Sequence, residues 1–468
     1  MHDSLRIKEY IKVNYYYYEN QVAIMSKLLN KMSIPQIIIL AYASLIFTGG
    51  ILLSLPISSA TGDWTAFIDA LFTATSATAV TGQVTLNTAA HWNYIGKTII
   101  ILLIEIGGLG FMTIWVIFYN YLVGRPNLKA RQVVTESLSL SGSDKLQVKV
   151  GTILKIALLI QAIGAFLLSF VFIPDYGWAE GIYYSVFHSI SAFCNAGFDI
   201  IGDSLIQYQD NSFILLVIAG LIMSGGLGFI VWEDILNYPK KRKIGNYSKI
   251  VLTATISLWV IGTLLFWLTE SGTGNFDHLA FGDRLANYFF LSVTPRTAGY
   301  VNIDYSQLSL GSLFTTIMLM FIGASSGSTG GGIKVTTLVV MVVAIYRSIK
   351  SESPRILNRA ISKDTIQRSF FIFGAGIMIS AMATFILLNT ETIPQGFGIE
   401  YIMIEVFSCL GTVGLTMGLT PNLTLIGKIL LILLMLIGRV GLLTFLWSFA
   451  KNKHESRIKY LDMNILVG

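Results

Sequence analysis

Four short segments of this chain are built from small and polar residues, although long apolar stretches surround each of them. They read SATAVTG (76–82), SAFCNAG (191–197), VTPRTAG (293–299) and SCLGTVG (408–414), and each ends in glycine. Main-chain carbonyl oxygens in such turns can replace the water around a cation of modest charge density. Glycine gives the backbone the freedom to present those oxygens. The chemistry that these segments could perform is therefore cation coordination.

The four final glycines recur in register along the chain. They lie at 82, 197, 299 and 414, at intervals of 115, 102 and 115 residues (82 to 197, 197 to 299, 299 to 414), which indicates four copies of one unit. A single turn of this kind would be explained by close packing between membrane helices. Four in register favour a selectivity filter around one axis, formed by Thr78, Ala79, Val80, Thr81, Gly82, Cys194, Asn195, Ala196, Gly197, Arg296, Thr297, Ala298, Gly299, Gly411, Thr412, Val413 and Gly414.

The elements that must position these residues are membrane helices. Of the 468 residues, 54% are hydrophobic and only 12% are charged, which leaves too few polar groups to cover a soluble protein of this size. Each predicted filter segment follows a half-length helix, such as Trp64–Ser76, which aims the negative end of its dipole at the axis. Apolar runs long enough to cross the bilayer as helices lie at 34–55, 95–123, 148–173, 212–237, 248–268, 313–346, 369–388 and 427–449.

The predicted fold class is an all-α integral membrane protein with four pseudo-symmetric repeats around one central pore. Each repeat is a helix, a pore helix with its filter loop, and a second helix. The repeats occupy 34–123, 148–237, 248–346 and 369–449, and the third carries an intramembrane loop at 323–332. A cytoplasmic N-terminal segment, 1–33, and a cytoplasmic tail, 450–468, flank them.

The basic residues predict the orientation in the membrane. Most of the 32 Lys and Arg residues lie in the two flanking segments and in the loops after the even-numbered spans. Basic residues concentrate on the cytoplasmic side, so both termini are predicted to be cytoplasmic. The net charge of +6 then reports topology and not nucleic-acid binding.

The opposite side of the membrane is predicted to be acidic. An acidic vestibule would concentrate cations at the pore mouth. The basic residues there are Lys97, Arg284, Arg296 and Lys428. The acidic residues are Asp63, Asp69, Asp175, Glu180, Asp199, Asp203, Asp210, Glu270, Asp277, Asp283, Asp304, Glu391, Glu400 and Glu405.

The sixth span contains a glycine-rich stretch that a continuous helix would hardly tolerate. It is predicted to break in mid-membrane and to act as a gate below the filter, through Gly323, Ser325, Ser326, Gly327, Ser328, Thr329, Gly330, Gly331 and Gly332. The alternative is a glycine-lined packing face. In that case the hydroxyl groups would need partners in lipid.

Arg439 is a lone charge in the apolar last span, LLMLIGRVGLLTF. A charge at this depth is costly and usually faces the interior, so it predicts a function, here a positive barrier below the filter. A structural ion pair with Glu105 is the alternative. Lys334, beside the glycine-rich stretch, could play either part.

The repeat pattern and several motifs resemble the Trk/Ktr/HKT superfamily of potassium transporters. The motifs are FCNAGFD (193–199), TPRTAGY (294–300), GTVGLT (411–416) and GGLGF (107–111 and 225–229), and the similarity to Ktr-type membrane subunits (KtrB or KtrD) covers 34–468. The resemblance implies potassium uptake across the bacterial inner membrane, often sodium-dependent, with potassium held at the filter carbonyls. Because plant relatives with a serine in the first filter pass sodium, four glycines imply potassium preference.

The same resemblance implies the partners of the chain. They are a second copy in a homodimer, membrane lipids, and a cytosolic nucleotide-binding regulatory ring of the KtrA/KtrC type. The family also places an intramembrane loop in the sixth span and an arginine in the last one. Nucleotide would bind only to the ring, and the chain itself would carry no cofactor.

Other classes of protein fit the sequence less well. We find no phosphate-binding loop, metal cluster or nucleophile triad with usable spacing, so the chain is predicted not to be an enzyme. A secondary transporter that binds its substrate at mid-membrane would also hide polar residues between helices, but such proteins usually show two halves. That transporter and a sodium-permeable member of the same superfamily remain the alternatives.

Overall fold

The computed structural model describes residues 32–110 and 150–449. Nearly all of the N-terminal segment, the end of the second predicted span with the basic loop after it, and the tail from residue 450 lie outside the described residues.

The regular structure of the described residues is almost entirely helical. The first repeat contains α1 (Ile34–Ser54), α2 (Phe67–Ala79), α3 (Thr88–His91) and α4 (Tyr94–Gly108). The second contains α5 (Val150–Tyr176), α6 (Trp178–Cys194), α7 (Ser212–Gly226) and α8 (Phe229–Lys241). The third contains α9 (Asn246–Glu270), α10 (Phe281–Val293), α11 (Leu310–Phe321) and α12 (Val335–Ile349). The fourth contains α13 (Lys363–Thr390), α14 (Glu400–Gly411), α15 (Leu425–Val440) and α16 (Leu442–Phe449).

Four single-turn 3₁₀ helices and one small hairpin complete the described elements. The 3₁₀ helices are Pro56–Ser58, Ile206–Tyr208, Tyr305–Gln307 and Thr420–Asn422. The hairpin, between α12 and α13, pairs β1 (Arg355–Ile356) with β2 (Arg359–Ala360) in antiparallel fashion, with Arg355 opposite Ala360.

The distribution of side chains is that of a membrane protein. The first helix of each repeat, α1, α5, α9 and α13, is long and apolar enough to cross a bilayer. These helices expose large apolar side chains, such as Phe166 (63% exposed) and Met382 (69%). The pore helices, in contrast, bury hydroxyl side chains completely, among them Thr75, Ser76 and Thr78. Apolar residues outside and polar residues inside are the arrangement that lipid favours.

The four repeats form a closed ring. The first helix of each repeat packs against the pore helix of the same repeat. The inner helix then packs against the next pore helix: α4 against α6, α7 against α10, and α11 against α14. The last inner helix, α15, packs against α2 of the first repeat, which closes the ring and places all four pore helices around one axis.

Two predicted spans are broken, and one pore helix begins later than predicted. The sequence predicts one helix over each of the spans 212–237 and 427–449, but α7 and α8 meet at 98° and α15 and α16 at 104°. Gly228 (φ +88°) and Gly441 (φ +93°) lie at the two bends, in a conformation that helical residues cannot adopt. The pore helix α2 begins at Phe67 and not at Trp64, because Thr65 N–H donates instead to the carbonyl of Ser54 at the end of α1 (3.2 Å).

Candidate functional site

The four predicted filter segments share one backbone conformation around their glycines. The residue two positions before the glycine is left-handed in all four: Val80 (φ 58°), Asn195 (62°), Thr297 (69°) and Thr412 (50°). The next residue returns to negative φ, and the glycine is positive again. The four segments therefore have the same local backbone geometry at and before the glycine.

The four glycines themselves form a ring in chain order. A Cβ added to Gly197 would lie 2.5 Å from the Ala298 carbonyl oxygen and 3.0 Å from the Cα of Gly299. A Cβ on Gly299 would likewise meet Val413 O, and one on Gly414 would meet Thr81 O, 3.0 Å from the Cα of Gly82. At Gly82 the added atom would meet Ala196 O, so the contacts run once around the ring and close on themselves.

The carbonyl oxygens beside these glycines are free to bind a ligand. Among the described residues, no donor hydrogen-bonds to the main-chain oxygens of Thr81, Ala196, Ala298 or Val413. Three of the glycine amides donate within their own segments: Gly82 N–H to Ser76 Oγ and Gly414 N–H to Ser408 Oγ, both at 3.0 Å, and Gly299 N–H to Thr294 O (3.3 Å). A ring of oxygens without donors is suited to a cation.

Two of the predicted filter residues turn their side chains away from the ring. Cys194 Sγ donates to Glu105 Oε2 on α4 (3.2 Å). The guanidinium of Arg296 lies 5.7 Å from the ring of Trp259, and its Nη2 donates to Gly323 O (3.3 Å). These two side chains therefore do not line the ring. The other predicted filter residues are buried, except Gly82 and Gly197, which are half-buried.

The intramembrane segment, residues 323–332, lies directly against the filter. It interrupts the sixth predicted span between α11 and α12. A Cβ on Gly330 would be 3.3 Å from Thr297 Cβ, and one on Gly331 would be 3.1 Å from Thr412 Cβ. The glycines therefore let this segment approach the third and fourth filter segments more closely than any other residue could.

The other side of the intramembrane segment is bound to the bend between α7 and α8. Ser325 N–H donates to Gly226 O (3.1 Å) and Thr329 N–H to Gly225 O (3.3 Å). Phe229 N–H returns a hydrogen bond to Gly327 O (2.8 Å). The hydroxyls that would lack partners in lipid are also satisfied, for example Ser325 Oγ donates to Leu227 O (2.5 Å).

The two cations predicted near the gate both donate to main-chain oxygens. Arg439 donates to Thr329 O in the intramembrane segment and to Gly107 O and Gly108 O at the end of α4, the last at 3.0 Å. The carboxyl end of a helix favours a cation. Lys334 Nζ donates to Gly330 O (2.7 Å).

The alternative ion pair between Arg439 and Glu105 is not formed in the described structure. The carboxylate of Glu105 accepts instead from Gln161 Nε2 (2.9 Å) and from the thiol of Cys194. Neutral donors therefore hold Glu105, and the guanidinium of Arg439 is left to the main chain.

Three of the acids assigned to the outer vestibule are buried. Glu270 and Glu405 are 0% exposed and Glu391 is 8% exposed, so these carboxylates do not line a wet pore mouth. Glu270 accepts from Ser309 N–H (3.0 Å) and caps the start of α11. Glu405 lies behind the filter and accepts from Gln83, a residue that sequence reasoning missed.

Comparisons with known proteins agree with this architecture. The family model "TrkH: Cation transport protein" matches residues 30–459. The chain is 48% identical to the potassium/sodium uptake protein NtpJ of Enterococcus hirae, covering 96% of this chain and 100% of that protein. It is 38% identical to the Ktr system potassium uptake protein B of Bacillus subtilis, over 93% of this chain and 96% of the relative.

A solved structure supports the same fold. The crystal structure of the potassium transporter TrkH from Vibrio parahaemolyticus superposes with a TM-score of 0.67, at 18% identity, covering 89% of this chain and 84% of that one. At this level of identity the similarity concerns the fold alone.

Proposed function

This chain belongs to the TrkH family of cation transport proteins, and on that premise we propose that it takes up potassium through the ring of four filter segments. The observation that carries the proposal is the closed ring of glycines with donor-free carbonyl oxygens beside them. A ring of carbonyl oxygens can replace the water that a potassium ion loses on entering the filter. Neutral oxygens also bind the ion weakly enough for it to leave again, as conduction requires.

Potassium is the ion that the names of the relatives share. Sodium also appears in the name of the Enterococcus protein, and this favours sodium as a second ion of the same pathway. We propose that potassium is the preferred ion and that sodium modulates its uptake. A sodium-permeable pore is the second candidate, and the two differ in which ion saturates the flux at lower concentration.

Uptake by a potassium-uptake-deficient bacterium tests the proposal. Cells that express the chain should grow at low potassium and accumulate radioactive rubidium, a potassium tracer, and external potassium should compete better than sodium. The matched control is Gly220→Ser, because this glycine lies on α7 away from the filter and a Cβ there meets no atom within 4 Å. Absence of rescue by correctly inserted protein would refute potassium uptake, and equal competition by sodium would favour the second candidate.

We propose further that the intramembrane segment gates the flux. It touches the filter on one side and the bend between α7 and α8 on the other, so a movement of either helix reaches the filter through it. Arg439 and Lys334 donate to three of its carbonyl oxygens, those of Thr329, Gly330 and Gly331. These charge-assisted bonds would hold the segment in the closed position.

The partners of the chain are likewise proposals. We propose a homodimer in the bacterial cell membrane, with both termini cytoplasmic, controlled by a nucleotide-binding ring of the KtrA/KtrC type. The sequence resemblance and the relative named as part of a Ktr system support this. Flux in liposomes with and without the ring, and light scattering of the solubilised protein, test the two parts separately.

A further inference from the structure

The first filter segment has a side-chain anchor directly after its glycine. The residues after the four filter glycines are Gln83, Phe198, Tyr300 and Leu415. The Tyr300 hydroxyl joins the third segment to the second, because it donates to Phe198 O (3.0 Å), whereas Gln83 reaches the fourth repeat. Gln83 is 1% exposed. Because Gly82 has no side chain of its own, its position along the axis depends on its neighbours in the chain.

Every hydrogen-bonding group of the Gln83 side chain is used, and every partner belongs to the fourth repeat. Nε2 donates to Glu405 Oε2 (2.5 Å) and to Leu415 O (3.2 Å), and Oε1 accepts from the thiol of Cys409. Leu415 directly follows Gly414. The amide therefore ties the first filter segment to the fourth one and to the pore helix α14 behind it.

Glu405 is held by neutral donors on all sides. It is fully buried, and besides Gln83 it accepts from the hydroxyls of Thr416 and Thr420, the latter at 2.9 Å. No Lys or Arg of the described residues forms an ion pair with it. Removing a partner from such a buried network leaves the other groups unsatisfied, which costs more than losing an exposed hydrogen bond.

The location of this network explains why it is needed. Successive repeats are joined by the chain, but the first and fourth meet only through side chains and backbone packing, where α15 contacts α2. Other polar contacts cross the same boundary. The charged groups of Asp69 and Lys428 are 2.6 Å apart, Arg439 donates to Gly107 O and Gly108 O, and Gln36 Nε2 donates to Ser448 O (3.1 Å). The boundary between the first and fourth repeats is thus held by several polar contacts, of which the Gln83–Glu405 contact adjoins the filter glycines.

We propose that Gln83 and Glu405 are positioning residues that set the distance between the first and fourth filter segments and so determine the preference between potassium and sodium. The inference rests on the proposed function. It assigns to Glu405 a role through hydrogen bonds at the back of the filter, and neither side chain touches the ion.

The test uses the full chain in liposomes, with rubidium uptake measured in competition with potassium and with sodium. Gln83→Leu and Glu405→Leu, which keep the volume and remove the hydrogen bonds, should each lower the potassium-to-sodium preference about tenfold or more. Glu405→Gln should stay within about threefold of the wild type, because the hydroxyls of Thr416 and Thr420 can turn to accept from the new amide.

The double variant Gln83→Leu/Glu405→Leu separates positioning from folding. The hydrogen bond between Gln83 and Glu405 can be lost only once, so the second change costs less when the first is already present. We therefore expect the melting temperature of the double variant to fall by less than the sum of the two single changes, while the lowered preference persists. The matched control is Thr73→Val: Thr73 lies nine residues before Gly82, as Glu405 does before Gly414, and its buried hydroxyl has no partner among the described residues.

Three outcomes overturn the inference. The first is a double variant with wild-type abundance and wild-type preference. The second is a Glu405→Gln variant as impaired as Glu405→Leu, which would assign the effect to charge. The third is an equal loss of preference in Thr73→Val, which would make the effect a general consequence of altering a pore helix. Absence of rubidium uptake by the wild type would instead refute the proposed function.

Discussion

Replacing Gly299 by serine is the sharpest test of the ring of glycines. Gly299 has φ +76°, a conformation that residues with a side chain rarely adopt. Its added Cβ would meet Val413 O and lie 3.0 Å from Val413 C and 3.1 Å from the Cα of Gly414. These are main-chain atoms of the neighbouring filter segment, so only a displacement of one segment relative to the other can accommodate the side chain.

The size of the effect follows from the backbone strain and the collision together. Holding a residue with a side chain in a left-handed conformation costs about 1–3 kcal/mol, and the collision with main-chain atoms prevents the residue from relaxing without moving the neighbouring segment. If the ring relieves this strain by moving the Val413 carbonyl, potassium affinity should fall by about 5–150-fold, the equivalent of about 1–3 kcal/mol. Sodium discrimination should fall with it, because both depend on the same oxygens.

The assay is rubidium uptake at graded potassium and sodium concentrations, normalised to the amount of inserted protein. Gly418→Ser is the matched control, because Gly418 also has a left-handed backbone (φ +96°) but a Cβ there meets no atom within 4 Å. Gly418→Ser therefore introduces the same kind of backbone strain as Gly299→Ser, but its Cβ does not collide with another filter segment. Unchanged potassium affinity and sodium discrimination in Gly299→Ser, or equal effects in both variants, would refute the reasoning.

Three further predictions concern the intramembrane segment and the closure of the ring. Deleting residues 325–329 should raise potassium flux several-fold and reduce its dependence on the regulatory ring, because the obstacle itself is removed; equal or lower flux from correctly inserted protein would favour a packing role. Arg439→Ala should also raise flux or loosen regulation in the same uptake assay, since Thr329 loses its donor, while Arg439→Lys should retain part of the control; wild-type behaviour of the alanine variant would contradict this. Lys428→Met should lower the melting temperature, because it leaves the Asp69 carboxylate without its partner, and adding Asp69→Asn to this variant should partly restore it. The two side chains are only 16% and 15% exposed, so we expect a coupling free energy of about 1–2 kcal/mol. Additive effects of the two changes would show that the pair contributes nothing.

The sequence predicts the ring of four glycine turns better than it predicts what holds these turns in place. Four glycines in register suffice to predict four turns on one axis, because irregular backbone at membrane depth must be buried in protein or line a water-filled cavity. The partners of Arg439 could not be predicted, since all three are carbonyl oxygens that every residue possesses. Glu405 was assigned to a vestibule because sequence cannot tell which face of a short helix is buried. Its pairing with Gln83 joins residues 322 positions apart.

The ends of two inner helices, in contrast, are marked in the sequence by a repeated motif, which is easily overlooked because it lies within an apolar run. GGLGF occurs at 107–111 and again at 225–229, and the described parts of the two copies fold alike. In each, the helix ends at the second glycine, and the glycine after leucine is left-handed: Gly110 with φ +85° and Gly228 with φ +88°. An unbroken run of apolar residues suggests one straight span, but a left-handed glycine ends an α-helix whatever its hydropathy.

These helix ends converge on the intramembrane segment. Gly107 and Gly108 supply oxygens to Arg439, which in turn donates to Thr329, and the bend beyond Gly226 hydrogen-bonds to Ser325. Arg439 itself lies two residues before the bend at Gly441. A helix that breaks inside the membrane leaves main-chain N–H and C=O groups for which lipid offers no hydrogen-bond partner. Here the intramembrane segment and Arg439 supply hydrogen-bond partners at these helix ends. The breaks in the inner helices are therefore interdependent, because a displacement of the segment would break hydrogen bonds to Arg439 and to the bend beyond Gly226. If the segment is the gate proposed above, water that enters the pore must replace these hydrogen bonds when the gate opens.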